Sequence, residues 1–229
     1  MKSPLVYIKF FLPVILVFLL FSHSHAQSTA IKLSQNIDHL KLGTSLEILE
    51  DKDGELTIHD FIKNDFTDRF IKSNDEEPKM GYTTSTFWTR FQVENPEHHT
   101  KEMYLEIAYQ HLDEIELYIP DKNNKYIMHQ AGFKYNFENR QIMHRNFVFK
   151  VNMNHGINTY YVKIRSSSLV KFPMVLQTPE YFSKAIVLEY LLLGIYYGIL
   201  LVMVLYNLFV FFSVRDISYL YYILYIVSF

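Results

Sequence analysis

The sequence predicts a mainly β chain, in which an exported antiparallel β-sandwich is followed by a transmembrane α-helix that starts a helical bundle. Two observations support this fold class. Apolar and polar residues alternate with period two through the middle of the chain, which is typical of half-buried strands. Residues 190–212 then run without a formal charge, and a helix of that length crosses the ~30 Å hydrocarbon layer of a bilayer.

The N-terminus has the three parts of a secretory signal peptide. Lys2 and Lys9 precede the apolar run Phe10–Phe21, and Ala26 completes a small-residue cleavage site. This apolar run is too short to span a bilayer comfortably. We therefore expect residues 1–26 to be a cleaved export signal, with an uncleaved anchor as the alternative.

Residues 27–178 are expected to form the exported sandwich. Strand-like segments follow one another closely here, separated by turns rich in Asn, Asp, Pro and Gly. Such spacing is typical of an antiparallel sandwich. The residues expected to face the core are, in chain order, Phe87, Thr89, Phe91, Val93, Met103, Leu105, Ile107, Ile115, Leu117, Ile119, Phe147, Phe149, Val151, Tyr160, Val162, Ile164, Phe172, Met174 and Leu176.

One short helix is expected early in the sandwich region. Asp53-Gly54 is typical of a turn, and Thr57 followed by Asp60 resembles a capping box. We predict a helix from this point to about Asn64.

Composition excludes several classes of function. The chain has no cysteine, which excludes thiolate catalysis, disulfides and cysteine-ligated zinc. Its formal net charge is −2 and it has no clustered basic surface, so nucleic acid is not an expected partner.

Two groups of side chains invite a chemical interpretation. His98 and His99 lie beside Glu97, a combination that can ligate a metal, but adjacent histidines in a polar turn are usually solvated. Glu114 and Glu116 project from one strand face about 7 Å apart. A glycosidase needs two carboxylates across a cleft, whereas two acids on a strand more often form its solvent-exposed face. We predict no metal, no cofactor and no catalytic residue, and hence no enzyme.

A ligand-binding face is the better-supported site. Aromatic rings pack on the C–H faces of sugars, and neighbouring polar side chains hold the hydroxyls. On the strand faces opposite the predicted core, and in one loop, the candidates are Trp88, Arg90, Gln92, Tyr118, Arg140, Tyr161 and Arg165. Alternatively, a second sheet covers this face and Trp88 belongs to the core, while Arg90 and Arg140 are buried or tether loops.

The membrane segment is expected over residues 179–214. Thr178 is a suitable N-cap with Pro179 at the first helical position. Gly194 and Gly198 allow a second helix to approach closely, either within one bundle or in a dimer. Asn207 is costly in lipid unless it bonds to a neighbouring helix, which favours a bundle.

Arg215-Asp216 ends this span, and export of the sandwich places Arg215 in the cytoplasm, in accord with the positive-inside rule. Residues 217–229 begin a second apolar helix that reaches only about 20 Å. We therefore expect the chain to be a fragment of a longer protein.

The order of several segments resembles a known receptor family. The sandwich segments are SLEILEDKDGELTI from Ser45, Phe87–Phe91, Leu105–Tyr109, Asp113–Ile119, Gly132, Arg140 and Tyr160–Arg165. The membrane segments are GIYYG, Tyr206-Asn207 and Arg215–Tyr222. Together they resemble the type-2 extracellular domain and the start of the membrane bundle of the seven-transmembrane receptors with diverse intracellular signalling modules (7TMR-DISM).

This resemblance implies a jelly-roll-like β-sandwich, similar to carbohydrate-binding modules, that acts as a sensor at the bacterial inner membrane. It implies that residues 27–189 lie on the periplasmic or extracellular side and that a cytoplasmic signalling module follows in a full-length chain. It brings no catalytic residues. The alternative hypothesis is a membrane-anchored binding or scaffolding module of the envelope without signalling output.

Overall fold

The chain folds as a two-sheet sandwich followed by a helical hairpin, in a computed structural model that describes residues 30–34, 37–63, 66–121 and 125–228. The predicted export signal, residues 1–26, lies outside the described residues. The helices are α1 Ile58–Lys63, α2 Pro179–Val214 and α3 Ser218–Val227. The strands are β1 Ile31–Lys32, β2 His39–Lys41, β3 Glu47–Asp51, β4 Ile71–Lys72, β5 Lys79–Tyr82, β6 Thr86–Asn95, β7 Lys101–Ile107, β8 Glu114–Pro120, β9 Tyr126–Ala131, β10 Phe147–Met153, β11 Gly156–Arg165, β12 Leu169–Lys171 and β13 Met174–Gln177.

The larger sheet has the strand order β4-β3-β6-β11-β8-β9, and β1 pairs in parallel with β6. The second sheet has the order β10-β7-β13-β2, and β12 and β5 form a small separate ribbon. All described pairs other than β1–β6 are antiparallel. The predicted fold class, an antiparallel sandwich followed by a long apolar helix, is confirmed.

The main core lies between the two sheets and follows the predicted alternation. Every apolar residue predicted to face it is buried there, because successive side chains of a strand point to opposite faces. Phe91 and Tyr160 are cross-strand partners whose rings stack with centroids 5.1 Å apart. With no disulfide available, burial of this apolar area, at ~25 cal/mol per Å², is the main stabilising contribution.

A second apolar layer covers the outer face of the larger sheet. We call it the aromatic cap; its buried members are Leu49, Phe61, Phe70, Trp88, Tyr118 and Tyr161. The predicted early helix is confirmed as α1, and Asp60 accepts hydrogen bonds from the backbone N–H and the hydroxyl of Thr57, at 2.8 and 2.7 Å. Phe61 on α1 packs its ring 4.7 Å from that of Trp88. The cover over this face is thus a helix and its flanking segments, and not a second sheet.

The sandwich has two ends, which strand register defines. At the distal end, short turns join β6 to β7 and β10 to β11, and Gly156 pairs with Asn95. At the opposite end, Phe147 pairs with Ile107, and the segment 132–146 joins the two sheets. We call the latter the helix end, because α2 contacts segment 132–146 there.

α2 and α3 form an antiparallel hairpin. Arg215 adopts the left-handed conformation (φ 57°) that ends α2, and Asp216 accepts a 2.9 Å hydrogen bond from the Ser218 N–H at the start of α3. α3 packs against α2 and buries Ile223 and Ile226.

The three predicted helix-packing residues differ in their surroundings. Asn207 is buried, and its amide donates to the Met203 carbonyl of the same helix at 2.7 Å; its bond to a neighbouring helix stays a prediction. No described atom lies within 4 Å of the Cβ position that a side chain would add at Gly194 or Gly198. These two positions remain available for a further helix, and their packing role stays a prediction.

Candidate functional site

An open groove of about 630 Å³ lies at the distal end of the sandwich, beside the aromatic cap. Three hairpin turns and α1 surround it, and the first residues of β11 form its floor. Its described lining residues are Phe61, Ile62, His98, Thr100, Pro120, Asp121, Tyr126, Asn154, His155, Ile157, Asn158, Thr159 and Tyr161.

Aromatic and polar groups alternate along the groove. The Tyr126 hydroxyl donates to the Thr159 carbonyl at 3.3 Å, and its ring meets that of Tyr161 edge to face at 5.6 Å. Burial raises the pKa of Tyr126, which keeps its hydroxyl a neutral donor. Asn158 donates to the carbonyls of Asn154 and Gly156 at 2.7 and 3.0 Å, which fixes the β10–β11 turn at the groove edge.

Two histidines meet at the rim. The rings of His98 and His155 lie 4.6 Å apart, and Nδ1 of His155 is 3.1 Å from the Glu97 carbonyl oxygen. A carbonyl only accepts hydrogen bonds, so Nδ1 of His155 carries the proton in this contact. In this tautomer Nε2 carries the lone pair, and it can accept a hydrogen bond from a ligand hydroxyl.

The start of α2 is clamped onto the outer face of the second sheet, and α2 runs from there toward the helix end. Thr178 caps α2 and accepts from the Tyr181 N–H at 3.2 Å, as predicted. The Phe182 ring is buried between Tyr104, 5.5 Å away on β7, and His144, 5.3 Å away in segment 132–146. We call this contact the helix clamp.

Polar bonds reinforce the helix clamp. Glu106 accepts from Asn146 and from Gln177, both at 2.6 Å, so one carboxylate joins segment 132–146 to the strand that leads into α2. Arg145 then forms a 2.9 Å ion pair with Glu189, three turns along α2 from its start. α2 therefore leaves the sandwich without a flexible linker.

His144 is neutral in this position. Burial lowers its pKa, an effect that Glu106 and Glu189 oppose and that Arg145 and Arg140 reinforce. Its Nδ1 accepts from the Asn146 N–H at 3.2 Å, which requires an unprotonated nitrogen.

Comparison with known families agrees with this architecture. The family model described as 7TMR-DISM extracellular 2 matches residues 43–178, more than half of the chain. The chain belongs to the 7TMR-DISM family. A second model, described as 7TM diverse intracellular signalling, matches residues 189–229. No protein of curated function matches the chain.

This 7TMR-DISM chain therefore carries an extracellular sensory domain and part of a seven-transmembrane region of a membrane receptor, and both matched regions are receptor-type domains. Among the residues that the structure describes, one helix, α2, is long and apolar enough to cross a membrane. Most of its apolar side chains are exposed, as lipid or further helices require.

The predicted ligand-binding residues of the 7TMR-DISM domain separate into three places. Trp88 is completely buried (0% exposed) in the aromatic cap with Tyr118, so neither the indole nor the phenol ring is open to a ligand while α1 is in place. Tyr161 lines the groove, and Gln92 donates to the Thr159 hydroxyl on the groove floor at 3.2 Å. Of the predicted set, these two lie at the groove.

The three arginines do not reach the groove. Arg90 is buried in an ion pair with Glu47, whose Oε2 lies 2.5 Å from Nη2 and accepts from Nε at 2.7 Å, and its guanidinium lies over the Phe70 ring. Arg140 donates to the carbonyls of His144 and Arg145 at 2.6 and 3.1 Å and so tethers segment 132–146.

Arg165 is exposed at the helix end, at the last position of β11. The geometry of Arg90 and Arg140 matches the structural alternative, and the ligand role of the predicted set stays a prediction.

The candidate metal and acid groups have structural partners. His99 pairs with Glu97 at 2.8 Å, and no three potential ligands converge as a metal site within the described part of the chain. Glu114 binds Lys134 at 2.5 Å, and Glu116 accepts from Tyr118 at 2.6 Å.

Sequence reasoning missed most of the groove, because its residues come from turns that lie far apart in the chain. The available signal was positional: in a sandwich of hairpins, Glu97-His98 and Asn154-His155 both occupy turns, and alternate turns share one end.

Proposed function

We propose that this chain is the sensory part of a bacterial inner-membrane receptor, whose sandwich binds a small neutral carbohydrate in the distal groove on the periplasmic or extracellular side. Binding there biases the membrane bundle through α2. A signalling module on the cytoplasmic side, carried by the full-length protein, supplies the output. The observation that supports this proposal most is the pairing of an open polar and aromatic groove with a helix clamped rigidly to the same domain.

The ligand class follows from the lining of the groove. Among the described lining residues there are hydroxyl, amide and imidazole groups and one carboxylate, but no ammonium or guanidinium group. A phosphorylated or carboxylated ligand would find no fixed cation there, whereas a neutral sugar finds donors, acceptors and the rings of Tyr126 and Tyr161.

A physical connection supports transmission. β10 runs directly from the helix clamp to the groove, because Asn146 precedes the strand at the helix end and Asn154 follows it at the distal end. A ligand shifts the equilibrium of the bundle only if it binds one state more tightly, so contacts at both ends of one strand offer a mechanical basis for that difference.

The test is calorimetric titration of the 229-residue chain in nanodiscs with a panel of neutral oligosaccharides, and with sugar phosphates for comparison. We expect at least one neutral sugar to bind. His155→Ala removes an acceptor from the groove rim, and we expect it to weaken that binding by about tenfold or more, the loss of one hydrogen bond to a desolvated polar group.

His111→Ala is the matched control, since His111 is an exposed histidine at the helix end, and binding should be unchanged. Silence across the neutral panel, or equal affinities for the chain and its His155→Ala variant, would contradict the placement of the site.

A further inference from the structure

We propose that the helix end of the sandwich is a lipid-docking surface that rests on the outer leaflet of the same bilayer that α2 crosses. Its contact residues are Phe133 and Phe137 of segment 132–146 and Tyr82 at the end of β5. This goes beyond ligand sensing; it requires that α2 spans the membrane and rests on the proposed export of the sandwich.

The ion pair between Arg145 and Glu189 sets the level of this surface. Glu189 is the residue before Tyr190, where the uncharged run of α2 begins. The Arg145 guanidinium therefore lies where the helix enters the headgroup region. Residues 141–144 lie farther from the membrane, because Gln141 accepts from the Lys150 N–H midway along β10 and His144 packs on Phe182. At a rise of 1.5 Å per residue, the buried Phe182 ring is only about 12 Å above Tyr190.

The exposed aromatic residues of the sandwich are concentrated at this level. Within the described part of residues 30–177, three aromatic side chains are exposed: Tyr82 (83%), Phe133 (73%) and Phe137 (49%). Tyr82 ends the ribbon strand that leads into β6, and the two phenylalanines belong to segment 132–146, so all three lie at the helix end.

This composition fits the interface between lipid headgroups and acyl chains. Tyrosine is enriched there, phenylalanine buries its ring at the boundary with the acyl chains, and arginine and lysine side chains reach phosphate groups from it. Segment 132–146 contains Lys134, Arg140 and Arg145 against one acidic residue, Glu138. The Arg140 guanidinium lies over the Phe137 ring at 4.6 Å, which places a cation and an exposed ring side by side.

Lipid is the expected partner of this surface because the surface is continuous with the point where α2 enters the bilayer. α2 enters the bilayer at Tyr190, so lipid headgroups surround the helix at the depth where segment 132–146 contacts it. The distal end provides a contrast, because its large exposed apolar residues in the described part of the chain are three isoleucines, Ile62, Ile127 and Ile157, and none is aromatic. Aliphatic residues that are exposed singly need no partner.

The absence of cysteine makes a direct test possible. Phe133→Cys and Phe137→Cys, each carrying a nitroxide spin label, are compared with Ile157→Cys in the 229-residue chain. The chain is reconstituted in vesicles of phosphatidylethanolamine and phosphatidylglycerol. The collision rate of each label is measured with oxygen, which concentrates in lipid, and with a nickel chelate, which stays in water.

We expect labels at 133 and 137 to collide more often with oxygen than with the chelate, and the label at 157 to show the reverse. A chelate-dominated signal at 133 and 137 would overturn the proposal. Shielding from both reagents would overturn it too, because that result identifies a protein neighbour and not lipid. None of these outcomes depends on whether the groove binds a carbohydrate.

Discussion

Phe61 lies at the centre of the aromatic cap, where its ring contacts Trp88 edge to face and stacks on Tyr161 at 5.6 Å. Because Trp88 is the chain's single tryptophan, its fluorescence reports on this layer alone. We expect Phe61→Ala to lower the free energy of unfolding by about 3 kcal/mol, the usual cost of deleting a buried ring. Denaturant titration followed by tryptophan emission measures the change.

Ile62→Ala is the matched control, since Ile62 is the next residue of α1 and is half exposed. Its effect should stay below about 1 kcal/mol. Phe61→Ala should also make Trp88 accessible to a soluble quencher. If Trp88 stayed unquenched and stability were unchanged, the cap would not depend on α1.

Residue alternation predicts the inner face of β6 but leaves its outer face ambiguous. Phe87, Phe91 and Val93 enter the main core as predicted, because a period of two fixes which side chains share a face. The same period cannot say what covers Trp88 and Arg90. That depends on where α1 folds back, a tertiary contact between segments about 30 residues apart in the sequence.

At the scale of elements, the helix clamp carries a titratable group. The pKa of buried His144 lies below its ordinary value of 6.5, so the unfolded or undocked state binds more protons as the pH falls. Neutral His144 therefore makes its full contribution to the free energy of unfolding above about pH 6.5. That contribution is lost progressively as the pH falls from there toward the lowered folded-state pKa.

We accordingly expect acidification from about pH 7.5 to about pH 5.5 to destabilise the docking of α2 on the sandwich. Thermal unfolding of the chain in nanodiscs at both pH values measures this. His144→Gln, which cannot titrate, should lose less stability between the two pH values. A larger loss in the variant would show that other groups govern the acid response.

The elements themselves were largely predictable, but their junction was not. Thr178 and Pro179 mark the start of α2, and the uncharged run marks its span, because capping and hydrophobic length act locally. The helix clamp joins Tyr104, His144 and Phe182, which lie on three separate elements. A local sequence pattern cannot predict this tertiary contact.

At the scale of the whole molecule, the groove and the membrane lie at opposite ends of one rigid sandwich. α2 is 36 residues long, about 54 Å as a helix, which exceeds the hydrocarbon layer by roughly 24 Å. The excess extends the span into the sandwich, where the helix clamp holds it. We propose that a change in the sandwich is passed to the bundle by this stiff element, and this is the central claim of the receptor interpretation.

The distance between the sandwich and α2 tests that claim most directly. Spin labels at Glu102→Cys on β7 and Lys184→Cys on α2, both exposed positions, report it by pulsed electron resonance in nanodiscs. We expect one narrow distance distribution, which Phe182→Ala should broaden by opening the helix clamp. A broad distribution in the chain that retains Phe182 would instead reveal a flexible tether between sandwich and membrane, and would contradict the account.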